Sequence, residues 1–219
     1  MSRRRLSSRG GAAVLVVVAQ LGCGACTTSV EGTATAAPVT ATPEAVGELG
    51  DLVLTEVPSG LPRLPDDDLH PPAGAKTVDD VSTYADDPER ERSVLEDYGY
   101  RHGWERFWGY ADGPATSVFV DQFEHRAGAG AYAADLAGNE AEHYRGMLRE
   151  NPAGLPGNCR SLTIAEPDPD LGLSGPAAFA WCGHGVFSVG VTAIADSVDE
   201  AEEELRAVVA RQLERLPPG

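Results

Sequence analysis

The residues with the clearest chemical potential are scattered. Five histidines, His70, His102, His125, His143 and His184, lie far apart in the chain. Glu140 and His143 stand three apart on an expected helix, a spacing that ligates metal in helical bundles when a second such motif faces it. No second motif and no H-E-x-x-H occurs, so the pair reads as solvent-facing polar side chains. Asp66, Asp67 and Asp68 offer three hard oxygen donors in a row, but lack the alternating spacing and turn glycine of a calcium loop. They read as solvated loop charge. Gly128-Ala129-Gly130 lacks the third glycine and downstream acid of a dinucleotide loop and reads as the start of a helix. Serines are frequent, yet no G-x-S-x-G elbow appears. No catalytic residue, metal site or cofactor is therefore assigned. The densest feature is aromatic: Tyr98, Tyr100, Trp104, Phe107, Trp108 and Tyr110 fall within thirteen residues. Trp104, Trp108 and Tyr110 have the spacing of one strand face. They form either core, which large aromatics dominate, or a ligand wall for an apolar or sugar ligand; core is the favoured reading.

The four cysteines, Cys23, Cys26, Cys159 and Cys182, depend on where the chain goes. Arg3, Arg4, Arg5 and Arg9 precede an uncharged apolar run, Gly11 to Leu21, bounded by Gly22-Cys23-Gly24-Ala25-Cys26. A membrane span needs roughly 20 apolar residues, so this run is too short and has the build of a secretory signal peptide. A small residue before Cys after an apolar segment resembles the lipobox of bacterial lipoproteins. That resemblance implies cleavage before a cysteine that carries a diacylglycerol. Cysteines outside the cell tend to pair. Lipidation at Cys26 removes Cys23 with the signal and leaves Cys159 and Cys182 to form a disulfide. Lipidation at Cys23, the alternative, leaves Cys26 as an odd thiol.

The chain carries 17 basic and 34 acidic residues, a net charge of −17. Four of the basic residues precede Cys26, leaving 13 against 34 and a net charge of −21 after cleavage. Such a surface repels phosphate backbones and anionic lipid heads. Nucleic acid is excluded as a partner, and membrane attachment falls to the lipid, whose two acyl chains hold where one does not.

The elements follow from periodicity. Residues 1–25 are the expected signal peptide and 26–48 a Thr/Ala/Pro-rich stalk, too poor in apolar surface to offset its ordering entropy. Residues 49–219 form one domain by size. Leu49 to Thr55 reads as a short strand. Val78 to Tyr98 contains helix, interrupted at Asp87-Pro88. Arg101 to Ala111 and Ala115 to Phe123 form a hairpin about Asp112-Gly113-Pro114, followed by a helix from about Gly130 to Glu150. After a strand at Arg160 to Ala165, the order returns. Ala177 to Cys182 and Val186 to Ala195 are strands, the second with a period of two. Ser197 opens a helix with an S-x-x-E capping box. The fold class is α+β: a mostly antiparallel sheet with helices on one side, built of two ββα units.

Cys26-Thr27-Thr28-Ser29-Val30-Glu31-Gly32-Thr33-Ala34, the segment Leu52 to Gly60 (LVLTEVPSG), and the Val189-Gly190-Val191 strand with its Gln212-bearing helix resemble the secreted lipoproteins of mycobacteria and related actinobacteria. The layout is more distantly similar to the extracellular sensor domain of a mycobacterial receptor kinase. The resemblance implies a cell-surface α/β sandwich-like domain and carries over no catalytic residue. The expected function is that of a lipid-anchored, extracytoplasmic domain that binds a small-molecule or protein ligand without catalysis. The alternatives are a cell-envelope enzyme with an unrecognised site, or a structural surface protein.

Overall fold

The computed structural model describes residues 41–110 and 113–219. Cys23 and Cys26, the expected signal peptide and most of the expected stalk lie outside the described residues. The elements run α1 (Val46–Leu52), β1 (Gly74–Lys76), α2 (Val78–Ser82), α3 (Pro88–Tyr98), β2 (Tyr100–Gly109), β3 (Ala115–Phe123), α4 (Arg126–His143), β4 (Arg149–Glu150), β5 (Cys159–Ile164), β6 (Ala177–His184), β7 (Phe187–Ile194) and α5 (Val198–Arg215). All seven strands join one sheet in the order β1-β2-β3-β7-β6-β5-β4, with every pair antiparallel. The fold is α+β, as the sequence predicts. The two ββα units are β2-β3-α4 and β6-β7-α5, and they meet where β3 pairs with β7.

The helices do not share one side. On β6, Ala178, Ala180 and Cys182 pack with Leu205, Val208 and Val209 of α5, while Ala177, Phe179 and Trp181 pack with Ala133 and Ala137 of α4. α1 lies on the α5 face, and α2 and α3 lie on the α4 face. The reason is legible in the strands: Ala177 to Cys182 is an unbroken buried run, the pattern of a strand covered on both faces rather than one.

Segment 49–55 is a second departure. Its β-rich composition predicts a strand, yet the chain forms α1, whose Leu49 and C-cap Val53 are fully buried. The helix is held at both ends. The Glu48 carboxylate accepts from the backbone N–H of Glu44 and Ala45 (2.8 and 3.4 Å). At the other end the buried Arg106 guanidinium donates to the carbonyls of Val53 (2.9 Å), Leu54 (2.6 Å) and Gly50 (3.4 Å). Gln212 of α5 accepts from Leu54 N–H (3.0 Å) and donates to Leu52 O (3.1 Å). A cation at the carbonyl end complements the helix dipole. These partners lie 52 to 160 residues away, so tertiary contacts override local propensity. α1 also begins before the expected stalk boundary at residue 48, and Gln122 Nε2 donates to Pro43 O (2.9 Å).

The LVLTEVPSG segment proves to be a latch. Val53, Leu54 and Val57 are buried, Thr55 O accepts from Trp108 Nε1 (3.3 Å), and Ser59 donates through N–H and Oγ–H to Glu204 of α5 (2.9 and 2.6 Å). Helix α4 starts earlier than predicted and ends at His143; a turn follows it, and the last two residues of the expected helix form β4. Gly128 lets it approach α3: a Cβ there would sit 1.9 Å from Tyr98 O. Ser197 caps α5 as expected, its Oγ accepting from Glu200 N–H (3.3 Å).

Candidate functional site

Antiparallel register lines up residues across the α4 face of the sheet. One row reads Glu105, Phe119, Gly190, Trp181 from β2 through β3 and β7 to β6. The next reads Ser117, Thr192, Phe179. On the other side of the first row stand Lys76, Gly103, Asp121 and Ser188. Cross-strand neighbours sit about 5 Å apart, so these rows make a continuous floor. Helices α3 and α4 and the segment after α2 raise walls over it. Between floor and walls runs a groove of about 510 Å³.

Aromatic rings line much of the groove. Phe179 and Trp181 lie parallel, with centroids 5.8 Å apart, and Tyr144 tilts onto Phe179 at 5.0 Å. Phe119, Tyr84 and Tyr132 complete the aromatic lining. Gly190 leaves a gap in the floor, where a Cβ would meet Phe119 and Trp181 at 3.7 and 3.8 Å, ordinary contact distances.

The charged groups of the lining are carboxylates. Glu105, 5 % exposed, is paired: Lys76 Nζ stands 3.1 Å from Oε2, and Tyr84 Oη donates to Oε1 at 2.8 Å. Lys76, itself buried, also donates to Pro72 O. Burial pushes the Glu105 carboxyl up, and Tyr84 and Lys76 oppose the rise. Asp121, 8 % exposed, has a thinner set of partners. Tyr100 Oη donates to its Oδ1 at 3.2 Å, and among the described residues no cation pairs with it. Burial, with the negative charge of Glu105 nearby, pushes its pKa up to about 7. Gly103 makes this arrangement possible, since a Cβ there would fall 2.3 Å from Asp121 Oδ1 and 2.6 Å from Tyr100 Oη. Glu140 and Glu91 bring two more carboxylates to the lining, and burial raises the Glu140 pKa.

A carboxyl poised near neutrality can hold or release a proton, and in a cleft it marks a functional candidate. Among the described residues, however, neither Ser117 nor Thr192, the aliphatic hydroxyls of the lining, makes a side-chain hydrogen bond to a base. A second depression of about 660 Å³ beside the disulfide is lined by Arg126, Glu150, Arg160 and His184 together with main chain. There Arg160 Nε pairs with Glu150 at 2.9 Å. It lacks the aromatic walls of the groove.

The sequence-derived candidates lie elsewhere. Trp104 and Trp108 face α1, on the opposite side of the sheet from the groove. Trp108 is 1 % exposed in the core, and Trp104 packs on Gly50 and stacks against the Arg106 guanidinium at 5.9 Å. Tyr110 does not share their face. β2 ends at Gly109, whose φ of 138° turns the chain, and Tyr110 stands 60 % exposed. None of the three lines the groove. Cys159 and Cys182 stand directly opposite each other on β5 and β6 and form the disulfide. Glu140 turns toward the groove rather than to solvent, and His143 packs its ring on Tyr144 at 4.8 Å. The histidines are not brought together: His102 meets Gln122 (3.1 Å) and His184 meets Pro217 O (2.9 Å). Asp66 is held by Arg63 at 3.0 Å. Glu105 and Asp121 escaped sequence reasoning, although both are acids set inside apolar strand runs, one position out of phase with Trp104 and Trp108.

No protein-family model and no curated protein matches the chain. A solved structure does. The extracellular domain of PknH from Mycobacterium tuberculosis is similar over 80 % of this chain and 99 % of that one, at 11 % identity and a TM-score of 0.48.

Proposed function

We propose that this chain is an extracytoplasmic, lipid-anchored binding domain whose small-molecule ligand enters the groove between the sheet and α4. The groove carries the reading: it is aromatic, open to solvent and floored by a missing side chain at Gly190. The N-terminal basic and apolar run and the Cys159–Cys182 bridge support export. Cys26, with Cys23 as the alternative, is the anchor in this proposal. Among the described residues the groove offers a docking surface and no nucleophile with its base, which favours recognition over catalysis.

Two experiments test it. Nuclear magnetic resonance screening of a fragment library should perturb residues of the groove, and Gly190→Val should abolish those shifts while leaving the fold intact. Fragments that gather elsewhere, or that ignore Gly190→Val, would remove the groove from the reading. Mass spectrometry of membrane-extracted protein should find a diacylated peptide beginning at Cys26. A freely secreted, unmodified chain would remove the anchor.

A further inference from the structure

The groove's charge is one-sided in a way its walls do not explain. Glu91, Glu105, Asp121 and Glu140 all line it, and among the described residues no Lys, Arg or His does. Glu105 is neutralised from the edge strand by Lys76 at 3.1 Å. Asp121 is not neutralised by any described residue, although it is more than nine-tenths buried and lines the groove. A buried carboxylate without a counter-charge is costly, and Gly103 is the residue that lets it sit there. Around it stand ring faces, which attract cations through their quadrupoles.

We infer that the ligand is an organic cation with a flat apolar body, its ammonium or similar group seated against Asp121 and its body on Phe119, Phe179 and Trp181 over Gly190. This rests on the groove reading above and names the ligand class. An anion would meet four carboxylates. A neutral ligand of the same shape would bury Asp121 further without compensating it. A bare metal ion would leave the aromatic floor unused, and among the described residues no cluster of three metal-ligating side chains exists. A cation with an apolar body satisfies both halves of the site.

The ionisable groups facing Asp121 are Tyr100 and Glu105 on β2, Lys76 on β1 beyond Glu105, Tyr132 and Glu140 on α4, Tyr84 after α2 and Glu91 on α3. Asp121 itself titrates near neutrality, at about 7. Binding of a permanently charged cation therefore strengthens as pH rises through that range.

The test uses the full-length exported chain and three probes matched in shape: 2-naphthylmethylammonium, neutral 2-naphthylmethanol and anionic 2-naphthoate. Affinities are measured by calorimetry at about pH 8 and about pH 5.5, on either side of the Asp121 titration. The ammonium should bind at least about tenfold more tightly than the alcohol at the higher pH, and the naphthoate should not bind. Asp121→Asn should bring the ammonium down to the affinity of the alcohol. The unmodified chain at the lower pH should narrow the same gap, which keeps the test decisive if the variant fails to fold. Equal affinities for ammonium and alcohol, both lost in Gly190→Val, would overturn the cation inference while leaving the groove as the site. Probe binding unaffected by Gly190→Val, or no binding at all, would overturn the groove reading and this inference together.

Discussion

Asp121 shows how one side chain sets the behaviour of its surroundings. Its carboxyl titrates near 3.8 in an unfolded chain and about 7 in the folded one. Between those values the folded chain holds a proton that the unfolded chain has released. The stabilising contribution is therefore complete below about pH 4, falls as pH rises toward 7 and is constant beyond it. Linkage caps the effect at about 4 kcal/mol. Asp121→Asn keeps an acceptor for Tyr100 Oη and removes the titration. Thermal denaturation from pH 4 to 8 should show the variant gaining on the parent as pH rises, with the difference vanishing at the acid end. Parallel curves would place this carboxyl in solvent. Glu105, also raised by burial, leaves a residual slope in both proteins. The tryptophans give a second contrast at this scale. Trp108→Ala empties a fully buried site and should cost about 3–5 kcal/mol in chemical denaturation. Tyr110→Ala, at an exposed position, should stay within about 0.5 kcal/mol.

At the scale of elements, α1 exists because the rest of the fold finishes it. Seven residues cannot hold a helix in water by propensity. Gln212 and Arg106 supply the partners its last carbonyls and the following N–H lack. Gln212→Ala leaves Leu54 N–H without its acceptor in the core and should cost about 2 kcal/mol. Hydrogen exchange of residues 46–54 should rise more than elsewhere. Ser197→Ala removes only a solvent-facing cap from α5 and should cost about 1 kcal/mol, with exchange rising in that helix's first turn. If Gln212→Ala raised exchange uniformly, α1 would belong to the same cooperative unit as the sheet rather than depend on its latch.

For the whole molecule, the sheet couples two ββα units through one β3–β7 ladder and places α4 and α5 on opposite faces. A two-fold axis through that ladder would put both helices on the same face, so the units repeat in sequence order without being related by symmetry. The consequence is a division of labour. The α5 face closes over Trp108, Leu49 and Val53, whereas the α4 face leaves the groove. The disulfide joins β6 to β5, near the sheet's far edge, and closes a sequence separation of 23 residues. Its reduction should cost about 3 kcal/mol in the chain-entropy account. Equilibrium unfolding with and without reductant measures this. Identical midpoints would show that the loop between the strands is ordered by packing alone.

The sequence by itself determined the antiparallel α+β class, both ββα units, the interruption at Asp87-Pro88, the Ser197 cap and the Cys159–Cys182 pair. Each of these is written in local signals: turn residues, periodicity and cysteine pairing. Only tertiary structure decided the rest. Which side of the sheet each helix takes depends on how strands buried on both faces are covered, and unbroken apolar runs do not encode a side. Residues 49–52 become helical, and 53–55 leave the helix without forming a strand, because Arg106 and Gln212 reach them from far along the chain. The groove arises from register across four strands: Glu105 and Asp121 on neighbouring rows, Gly190 between Phe119 and Trp181. The aromatic cluster of β2 drew attention to Trp104 and Trp108, but a strand shows alternate side chains to opposite faces. Those rings went to the sealed face, and Glu105 between them went to the open one.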